Sequence, residues 1–401
     1  MTTYRQLFRI GEFRALFINA TVGVAGGTMK MLAVSALVYA STGSPLLAAL
    51  AYLGGFLPQA LGALTLLSLA DRLPPRAALV TWRAVHAAVS VVLALGLLPV
   101  WAMLALLLLV GLGDAVIGAI GNSIVVDVVP EGSYVLGRST LNIAVGSMQI
   151  VGYAVAGTLM TVTGPSGALW LSAVLALVSM AILRVGLRWR PPRSTGRGTV
   201  SLTWAGNRRL FGDPTIRRLL LAEWLPNGLI VGAEAMYVPY AGNAAGAMFA
   251  GAAAGMLIGD IVIGRWTTPR WRSVLGLPLY ALLAIPYLAF VLHPGPVLAT
   301  ALVVVASFGY AGTLTVQERF VAVVPEDLLG QGMGLAGSGM LTAQAVCAAL
   351  VGGAAELATP ATAMTMAAVA SLAVSLIVLW PGSPTVHTRQ SRDAVSSTPA
   401  G

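Results

Sequence analysis

Apolar stretches, each long enough to cross a bilayer, follow one another along almost the whole chain. An α-helix rises about 1.5 Å per residue, so about 20 apolar residues span the hydrocarbon core. Hydrophobic residues make up 57% of the 401 residues and charged residues only 9%, whereas a soluble domain usually carries about 25% charged residues. Too few polar side chains remain to cover a surface in water. We therefore expect an all-α polytopic membrane protein.

Twelve such segments can be marked, and we number them spans 1 to 12. A stretch rich in Arg, Gly, Pro and Ser, residues 188–215, separates two sets of six. This pattern predicts a first six-helix bundle at 1–187, a cytoplasmic linker at 188–215, a second bundle at 216–381 and a disordered tail at 382–401. The predicted spans are 14–40, 45–69, 77–97, 100–126, 136–161, 167–187, 216–240, 244–265, 273–292, 296–320, 328–356 and 360–381.

The 22 arginines set the expected orientation, because positively charged loops stay in the cytoplasm. With twelve spans, every arginine falls on one side of the membrane. We therefore expect a bacterial plasma-membrane protein with both termini in the cytoplasm. The net charge of +9 is spread over these loops without an interleaved aromatic platform, so no nucleic-acid partner is expected.

Metal, cofactor and enzyme chemistry find no support in the sequence. Cys347 is the single cysteine, and the three histidines, His86, His293 and His387, are far apart. No HExxH, CxxC or P-loop pattern occurs. We expect no metal, no cofactor and no catalytic residue, and we interpret His86 and His293 as interface or loop residues outside any proton relay.

An internal repeat supports the two-bundle division. Val-Val-Pro-Glu at residues 128–131 recurs at 323–326, and a Leu-Gly pair follows each copy. The copies are about two hundred residues apart, half the chain, which indicates a duplication of six spans. Transporters built from such repeats bind their substrate between the halves, near the bilayer midplane.

Local motifs resemble those of the major facilitator superfamily. Residues 71–76, Asp-Arg-Leu-Pro-Pro-Arg, resemble that family's Gly-x-x-x-Asp-Arg-x-Gly-Arg-Arg/Lys loop between helices 2 and 3, although Leu67, Pro74 and Pro75 replace Gly, Gly and Arg. A degenerate copy lies around residues 264–270. Residues 127–142 resemble the loop between helices 4 and 5 of the twelve-span drug and siderophore exporters, which include macrolide-efflux and enterobactin-exporter-like proteins.

Span 5 carries three spaced glycines, Gly146, Gly152 and Gly157. They resemble the glycine motif associated with antiporters, although Tyr153 stands where that motif has a proline. The resemblance implies export. Small residues also let helices approach closely, whatever the direction of transport.

Three ionisable residues lie deep within spans: Lys30 in span 1, Asp114 in span 4 and Glu234 in span 7. The resemblance implies that spans 1, 4, 7 and 10 line one aqueous cavity. Ionisable groups at this depth are candidates for function. Our hypothesis is that Lys30 faces Asp114, with Glu234 as the alternative partner. In the alternative interpretation, Lys30 extends to the outer interface and Asp114 caps a local hydrogen bond.

Other polar residues are assigned by position. Glu223, near the cytoplasmic mouth of span 7, contacts a cationic or polar substrate or pairs with a nearby arginine. Charged residues at cytoplasmic span ends are expected to form a gate of interdomain ion pairs: Asp71, Arg72, Arg76, Asp127, Asp260, Arg265, Glu318 and Arg319. Seven polar residues line the cavity or bond between helices: Asn19, Tyr39, Asn122, Gln149, Asn227, Tyr237 and Tyr310.

The functional hypothesis is a monomeric secondary transporter without an ATP site. It exports a small amphipathic molecule, such as a drug, an antibiotic or a siderophore-like metabolite, by proton-coupled antiport with alternating access. Its partners are the substrate, protons and the lipid bilayer. Two alternatives remain: a proton-coupled symporter that imports a small metabolite, and a membrane sensor or enzyme that does not transport.

Overall fold

A computed structural model describes residues 4–65, 67–70, 72–130, 134–192, 200–325 and 328–379. All regular secondary structure within these ranges is helical, and ten helical stretches are long and apolar enough to cross a membrane. Two of them, Leu136–Gly186 and Pro214–Trp266, contain 51 and 53 residues. Since one crossing takes about 20 residues, each contains two. The described residues therefore contain twelve crossings, the number that the sequence predicts.

The first half begins with a short helix at Tyr4–Leu7 and contains spans 1 to 6. Spans 5 and 6 form one helical stretch that breaks at Gly164, where φ is 71°. The bounds are Gly11–Thr42 for span 1, Pro45–Leu53, Phe56–Thr65 and Leu67–Ala70 for span 2, Pro75–Ala94 for span 3, Val100–Val128 for span 4 and Tyr134–Gly186 for spans 5 and 6.

The second half contains spans 7 to 12, several of them in pieces. Span 8 ends in a π-helical turn, and spans 9 and 10 contain 3-10 turns. The bounds are Pro214–Glu234 and Tyr237–Ala241 for span 7, Ala245–Ile261 and Val262–Trp266 for span 8, Pro269–Leu288 and Ala289–Leu292 for span 9, Pro296–Phe308, Gly309–Ala311 and Gly312–Val323 for span 10, Leu329–Leu357 for span 11 and Pro360–Leu379 for span 12.

The segment between the halves is partly helical. Val200–Gly212 forms a helix inside the predicted linker 188–215. Gln331, at the start of span 11, donates a hydrogen bond to Asn207 at 2.9 Å. The linker is therefore attached to the second half along this helix. The predicted tail at 382–401 lies outside the described residues.

The turn between spans 1 and 2 follows directly from its sequence. Gly43 ends span 1 in the left-handed region, with φ 66°, which glycine adopts without a steric penalty. The side chain of Ser44 then accepts a hydrogen bond from the backbone N–H of Leu47, and Pro45 occupies the first turn of span 2. A chain reversal therefore needs only two residues here.

The two halves meet at the end of the bundle opposite Tyr4 and Leu379, the first and last described residues, and we call it the far end. Spans 5 and 8 approach at Gly157 and Gly246, where a Cβ on Gly157 would lie 2.8 Å from the Gly246 Cα. Spans 2 and 11 approach at Gly352, where a Cβ would lie 2.9 Å from the Cα of Leu46. Glu356 accepts hydrogen bonds from the hydroxyl of Ser44 and the backbone N–H of Leu46.

Aromatic rings fill the space beneath these contacts. Phe249 of span 8 packs against Tyr52 and Tyr237 with ring centroids at 4.8 Å, and against Tyr153 at 5.0 Å. The hydroxyls of Tyr52 and Tyr153 share a hydrogen bond of 2.7 Å. We call Tyr52, Tyr153, Tyr237 and Phe249 the aromatic seal. It joins spans 2 and 5 of the first half to spans 7 and 8 of the second.

Candidate functional site

Three ionisable side chains from spans 1, 3 and 4 form a hydrogen-bonded triad. The Nζ of Lys30 lies 2.8 Å from Nδ1 of His86, and Nε2 of His86 lies 2.9 Å from Oδ1 of Asp114. Trp82 donates its indole N–H to the same carboxylate oxygen at 2.7 Å. Because an ammonium only donates, Nδ1 of His86 accepts and its Nε2–H donates to Asp114.

Local packing positions the triad. Trp82 and His86 are four residues apart on span 3, so both side chains lie on one helix face. Their rings pack edge to face with centroids at 5.9 Å. The Trp82 ring occupies the space where a side chain on Gly113 would begin. The glycine beside Asp114 therefore lets the indole reach the carboxylate.

The triad borders a cavity of about 140 Å³, which we call the Lys30 pocket. Lys30 is 7% exposed, whereas the side chains of His86 and Asp114 are 18% and 33% exposed. Most of the wall is apolar. Besides the triad, the lining residues are Gly27, Met31, Val34, Ala51, Tyr52, Gly55, Phe56, Gln59, Leu107, Val110 and Gly111. The pocket therefore lies within the first half, and its wall includes one member of the aromatic seal.

This geometry corrects two expectations. Lys30 and Asp114 belong to one site, but they do not form the direct pair that we hypothesised, because His86 lies between them. The assignment of His86 to an interface or loop was wrong. A histidine in the middle of an apolar span was itself the sequence signal, by the argument already applied to Lys30.

Arg83 lies within span 3, on the same helix as Trp82 and His86. It lies eight residues after Pro75, the first residue of span 3, and it is half-buried. Its Nε donates to Oδ1 of Asn19 at 2.9 Å, and the hydroxyl of Ser179 donates to the same oxygen at 2.7 Å. Asn19 therefore holds a cation inside the first half.

Glu234 lies at the end of the first helix of span 7, beside the aromatic seal. The residue is 6% exposed, and its Oε1 has no hydrogen-bond partner among the described residues. Tyr237, three residues further on, has its hydroxyl bonded to that of Tyr287. Lys30 donates its hydrogen bond to His86 of the triad and not to Glu234, the alternative partner.

Glu223 is buried in span 7, whereas a residue at the mouth of the cavity would be exposed. It is 3% exposed, and its Oε1 accepts a hydrogen bond from Gln317 at 2.7 Å. Its Oε2 and the hydroxyl of Tyr280 are buried without a hydrogen-bond partner in the described part of the chain. The pairing with arginine that the sequence left open is replaced by a bond to an amide.

The predicted gate residues that the structure describes lie at the end of the bundle opposite the far end. Asp71 is outside the described residues. Arg76 donates to the backbone carbonyl of Arg184 in its own half. Asp260 has a buried Oδ1 without a hydrogen-bond partner among the described residues, and Arg265 is exposed in the π-helical end of span 8. The remaining positions, in spans 4 and 10 and before span 3, are Arg72, Asp127, Glu318 and Arg319.

An ion pair that the sequence did not predict joins the two ends of the first half. Arg190 donates to both carboxylate oxygens of Glu12, at 2.8 and 2.9 Å. These hydrogen bonds raise the pKa of Arg190. The backbone N–H of Arg188 donates to the same carboxylate at 2.8 Å. The chain after span 6 is therefore tied to the start of span 1.

The seven predicted cavity residues are dispersed, and none of them borders the Lys30 pocket. Asn19 holds Arg83, and Asn227 accepts from Gln344 at 2.9 Å. Asn122 accepts from Arg138 at 2.5 Å, and Tyr237 bonds Tyr287. The other three, which are half-buried, are Tyr39, Gln149 and Tyr310.

The span 5 glycines make close helix contacts. A Cβ on Gly146 would lie 3.4 Å from the side chain of Leu257 in span 8, and one on Gly152 would overlap Thr28 of span 1. Gly157 meets Gly246 at the far end. Two of the three glycines therefore lie on the interface between the halves.

Twelve crossings in two halves, with ionisable side chains around a cavity, define a polytopic membrane transporter. The chain matches the Major Facilitator Superfamily over residues 16–316. It therefore belongs to that superfamily, and it is a secondary transporter rather than an enzyme. A comparison with curated protein sequences finds no match.

Solved transporter structures share the fold at low sequence identity. A POT family transporter in complex with 5-aminolevulinic acid aligns with TM-score 0.72 and 11% identity, over 92% of this chain and 95% of that one. The peptide transporter POT in complex with sulfate aligns with TM-score 0.70 and 15% identity, over 94% and 98%. An inward-facing, unoccupied bacterial homologue of the human lysosomal transporter Spinster aligns with TM-score 0.68 and 17% identity, over 92% and 94%.

Proposed function

We propose that this transporter is a proton-coupled antiporter that exports a small amphipathic molecule, such as a drug, an antibiotic or a siderophore-like metabolite. The observation that carries the proposal is the triad of Lys30, His86 and Asp114 on the wall of the Lys30 pocket. It places titratable groups and a cavity in one site.

Proton binding at His86 changes the pocket. In the observed arrangement Nδ1 accepts from Lys30 and carries no proton. An imidazole can bind a proton at its free nitrogen. A proton taken up at Nδ1 removes the acceptor of Lys30 and places a second positive charge beside the ammonium. Lys30 must then move, so a substrate that contacts it is released as the proton binds.

The lining of the pocket supports an amphipathic substrate. Leu107, Val110, Phe56 and Met31 offer apolar contact, and Gln59 with the triad offers a few directional hydrogen bonds. Binding sites for small molecules commonly combine a mostly apolar wall with a few polar groups. Export is supported by the resemblance of residues 127–142 and of the span 5 glycines to those of exporters and antiporters.

Alternating access requires that the far end and the end opposite to it open in turn. The glycine contact between Gly157 and Gly246 and the aromatic seal close the far end in this structure. We propose that both termini lie in the cytoplasm of a bacterial plasma membrane, so that the seal separates the pocket from the outside. The charged residues at the opposite end, including Arg72, Arg76 and Asp127, then close the cytoplasmic side in the other state. Because both gates lie within one chain, a monomer suffices for transport.

Reconstitution tests the coupling and its direction. The purified protein is placed in liposomes and offered an amphipathic compound chosen from an efflux panel on cells that overproduce it. Antiport predicts that a lumen more acidic than the bath drives accumulation of the compound, with proton release from the lumen followed by a pH-sensitive dye. Accumulation driven by an acidic bath would instead establish symport, and a rate indifferent to both gradients would reject proton coupling.

A further inference from the structure

We propose that the turn between spans 8 and 9 binds the headgroup of an anionic phospholipid. Arg265 and Arg270 hold the phosphate. Trp266 and Trp271 flank them at the level where the headgroups meet the acyl chains. The inference concerns the outer surface of the transporter, so it does not depend on the substrate or on the coupling ion. It is carried by two lipid-facing helix stripes that end at this turn and by the positive charge of the turn.

One side of span 8 faces the lipid. Phe249 is buried in the aromatic seal, and a second side of the helix lies against span 10, where a Cβ on Gly259 would lie 3.1 Å from the Cα of Phe308. On another side, Ile258 and Ile261 are 50% and 43% exposed. Lipid tails are as apolar as these side chains and can cover them. This side of span 8 is therefore the surface that contacts the bilayer.

Arg265 extends the same stripe to the end of span 8. It follows Ile261 by four residues, so both side chains lie on one side of the helix. The residue is exposed within the π-helical turn Val262–Trp266. Among the described residues, its guanidinium takes part in no ion pair and no hydrogen bond. All of its N–H donors therefore remain for a group outside the protein.

Span 9 carries a second lipid-facing stripe, which begins at Trp271. Trp271, Val274 and Ile285 are 65%, 66% and 51% exposed, whereas Tyr280 on the opposite side of the helix is fully buried. Trp266, at the end of span 8, is 74% exposed. Tryptophans are enriched where a membrane helix enters the headgroup layer. The two indoles therefore place the turn between them at headgroup level.

Positive charge is concentrated in this turn. From residue 260 to residue 272 the sequence contains three arginines and one acidic residue, Asp260, whose Oδ1 is buried. Arg270 is exposed in the first turn of span 9, where the helix dipole also favours an anion. A guanidinium can bind a phosphate through two parallel hydrogen bonds. A phosphate bound here belongs to a lipid, because the apolar stripes of spans 8 and 9 continue from it and are covered by acyl chains.

Lipid binding to the purified full-length protein in detergent tests the proposal. The probes are phosphatidylglycerol, which is anionic, and phosphatidylcholine with the same acyl chains, which has no net charge. Native mass spectrometry counts the bound lipids and gives the dissociation constant of the first one. We expect phosphatidylglycerol to bind at least about fivefold more tightly, since each arginine near a membrane surface contributes about this factor toward an anionic lipid.

Variants assign the binding to the turn. Arg265→Gln should weaken the first phosphatidylglycerol about fivefold and leave phosphatidylcholine unchanged. The double variant Arg265→Gln/Arg270→Gln should bind the two lipids equally. Arg265→Lys keeps the charge and should bind phosphatidylglycerol more tightly than Arg265→Gln. The matched control is Arg5→Gln, which removes an exposed arginine at the same end of the bundle but outside the turn and should bind as the native protein does.

Three outcomes would overturn the proposal. The first is native affinity for phosphatidylglycerol in the double variant, and the second is an equal loss of affinity in Arg5→Gln, which would reduce the effect to overall charge. The third is displacement of the lipid by millimolar inorganic phosphate, which would make the turn a site for free anions. Preference for phosphatidylglycerol that is lost only in the variants of Arg265 and Arg270 supports the lipid site.

Discussion

The ammonium of Lys30 donates a hydrogen bond to Nδ1 of His86 at 2.8 Å across 56 positions of sequence. This contact fixes the tautomer of the imidazole, because the acceptor nitrogen cannot carry a proton while Lys30 is bonded to it. The opposite ring nitrogen, Nε2, donates a hydrogen bond to Asp114, so His86 connects the lysine to the aspartate. A lysine and an aspartate on different spans thereby act through an imidazole, which has a nitrogen for each of them.

His86→Gln should uncouple transport from protons. Glutamine can bond to one neighbour in the triad but does not titrate. Transport rates should become equal within about twofold between about pH 5 and 8, the range in which histidine titrates. The measurement is uptake into liposomes at matched internal and external pH. The matched control is His293→Gln in the turn between spans 9 and 10, which should keep the native profile. A native pH profile in His86→Gln would show that the proton binds elsewhere.

Gly113→Ala should destabilise the protein, because the new methyl group overlaps the ring of Trp82. Overpacking of this kind costs about 1–3 kcal/mol. The control is Gly118→Ala, five residues further along span 4, since a Cβ there meets nothing within 4 Å. Thermal unfolding in detergent compares the two. Equal midpoints would mean that the indole moves aside at no cost.

Gly157→Ala should shift the protein away from the state that is closed at the far end. A Cβ there would lie 2.8 Å from the Gly246 Cα, so the halves must separate. Gly353→Ala is the control, because a Cβ at Gly353 meets nothing within 4 Å. Cysteines introduced beside the aromatic seal in a Cys347→Ala background report the change as faster labelling by a membrane-impermeant maleimide. Unchanged labelling in Gly157→Ala would contradict this role for the glycine contact.

Cys347 should label only when the protein unfolds. Cys347 is 5% exposed, and its backbone packs against Gly232 of span 7. Labelling by a thiol-reactive dye should therefore be at least about tenfold slower at room temperature than above the unfolding midpoint, since exchange needs local or global opening. Rapid labelling of the native protein would mean that spans 7 and 11 separate readily.

The crossings of the membrane could be predicted because each one is specified by its own stretch of sequence. A run of apolar residues identifies a span wherever it packs, and Ser44 with Pro45 or Gly164 with Pro165 marks a turn by its own backbone preferences. The superfamily could likewise be recognised from short motifs. Lys30, Asp114 and Glu234 were found from sequence because a charge within an apolar run is conspicuous.

The assembly of the site required the tertiary structure. A span faces lipid on one side and other helices on the other, and both surroundings are apolar, so its sequence does not show which face points inward. The rotation of span 3 decides that His86 enters the triad and that Arg83 reaches Asn19. The sequence alone determined the twelve crossings, and it predicts that they form two related halves. Only the packing of spans 1, 3 and 4 decided which charges meet, because their partners come from different helices.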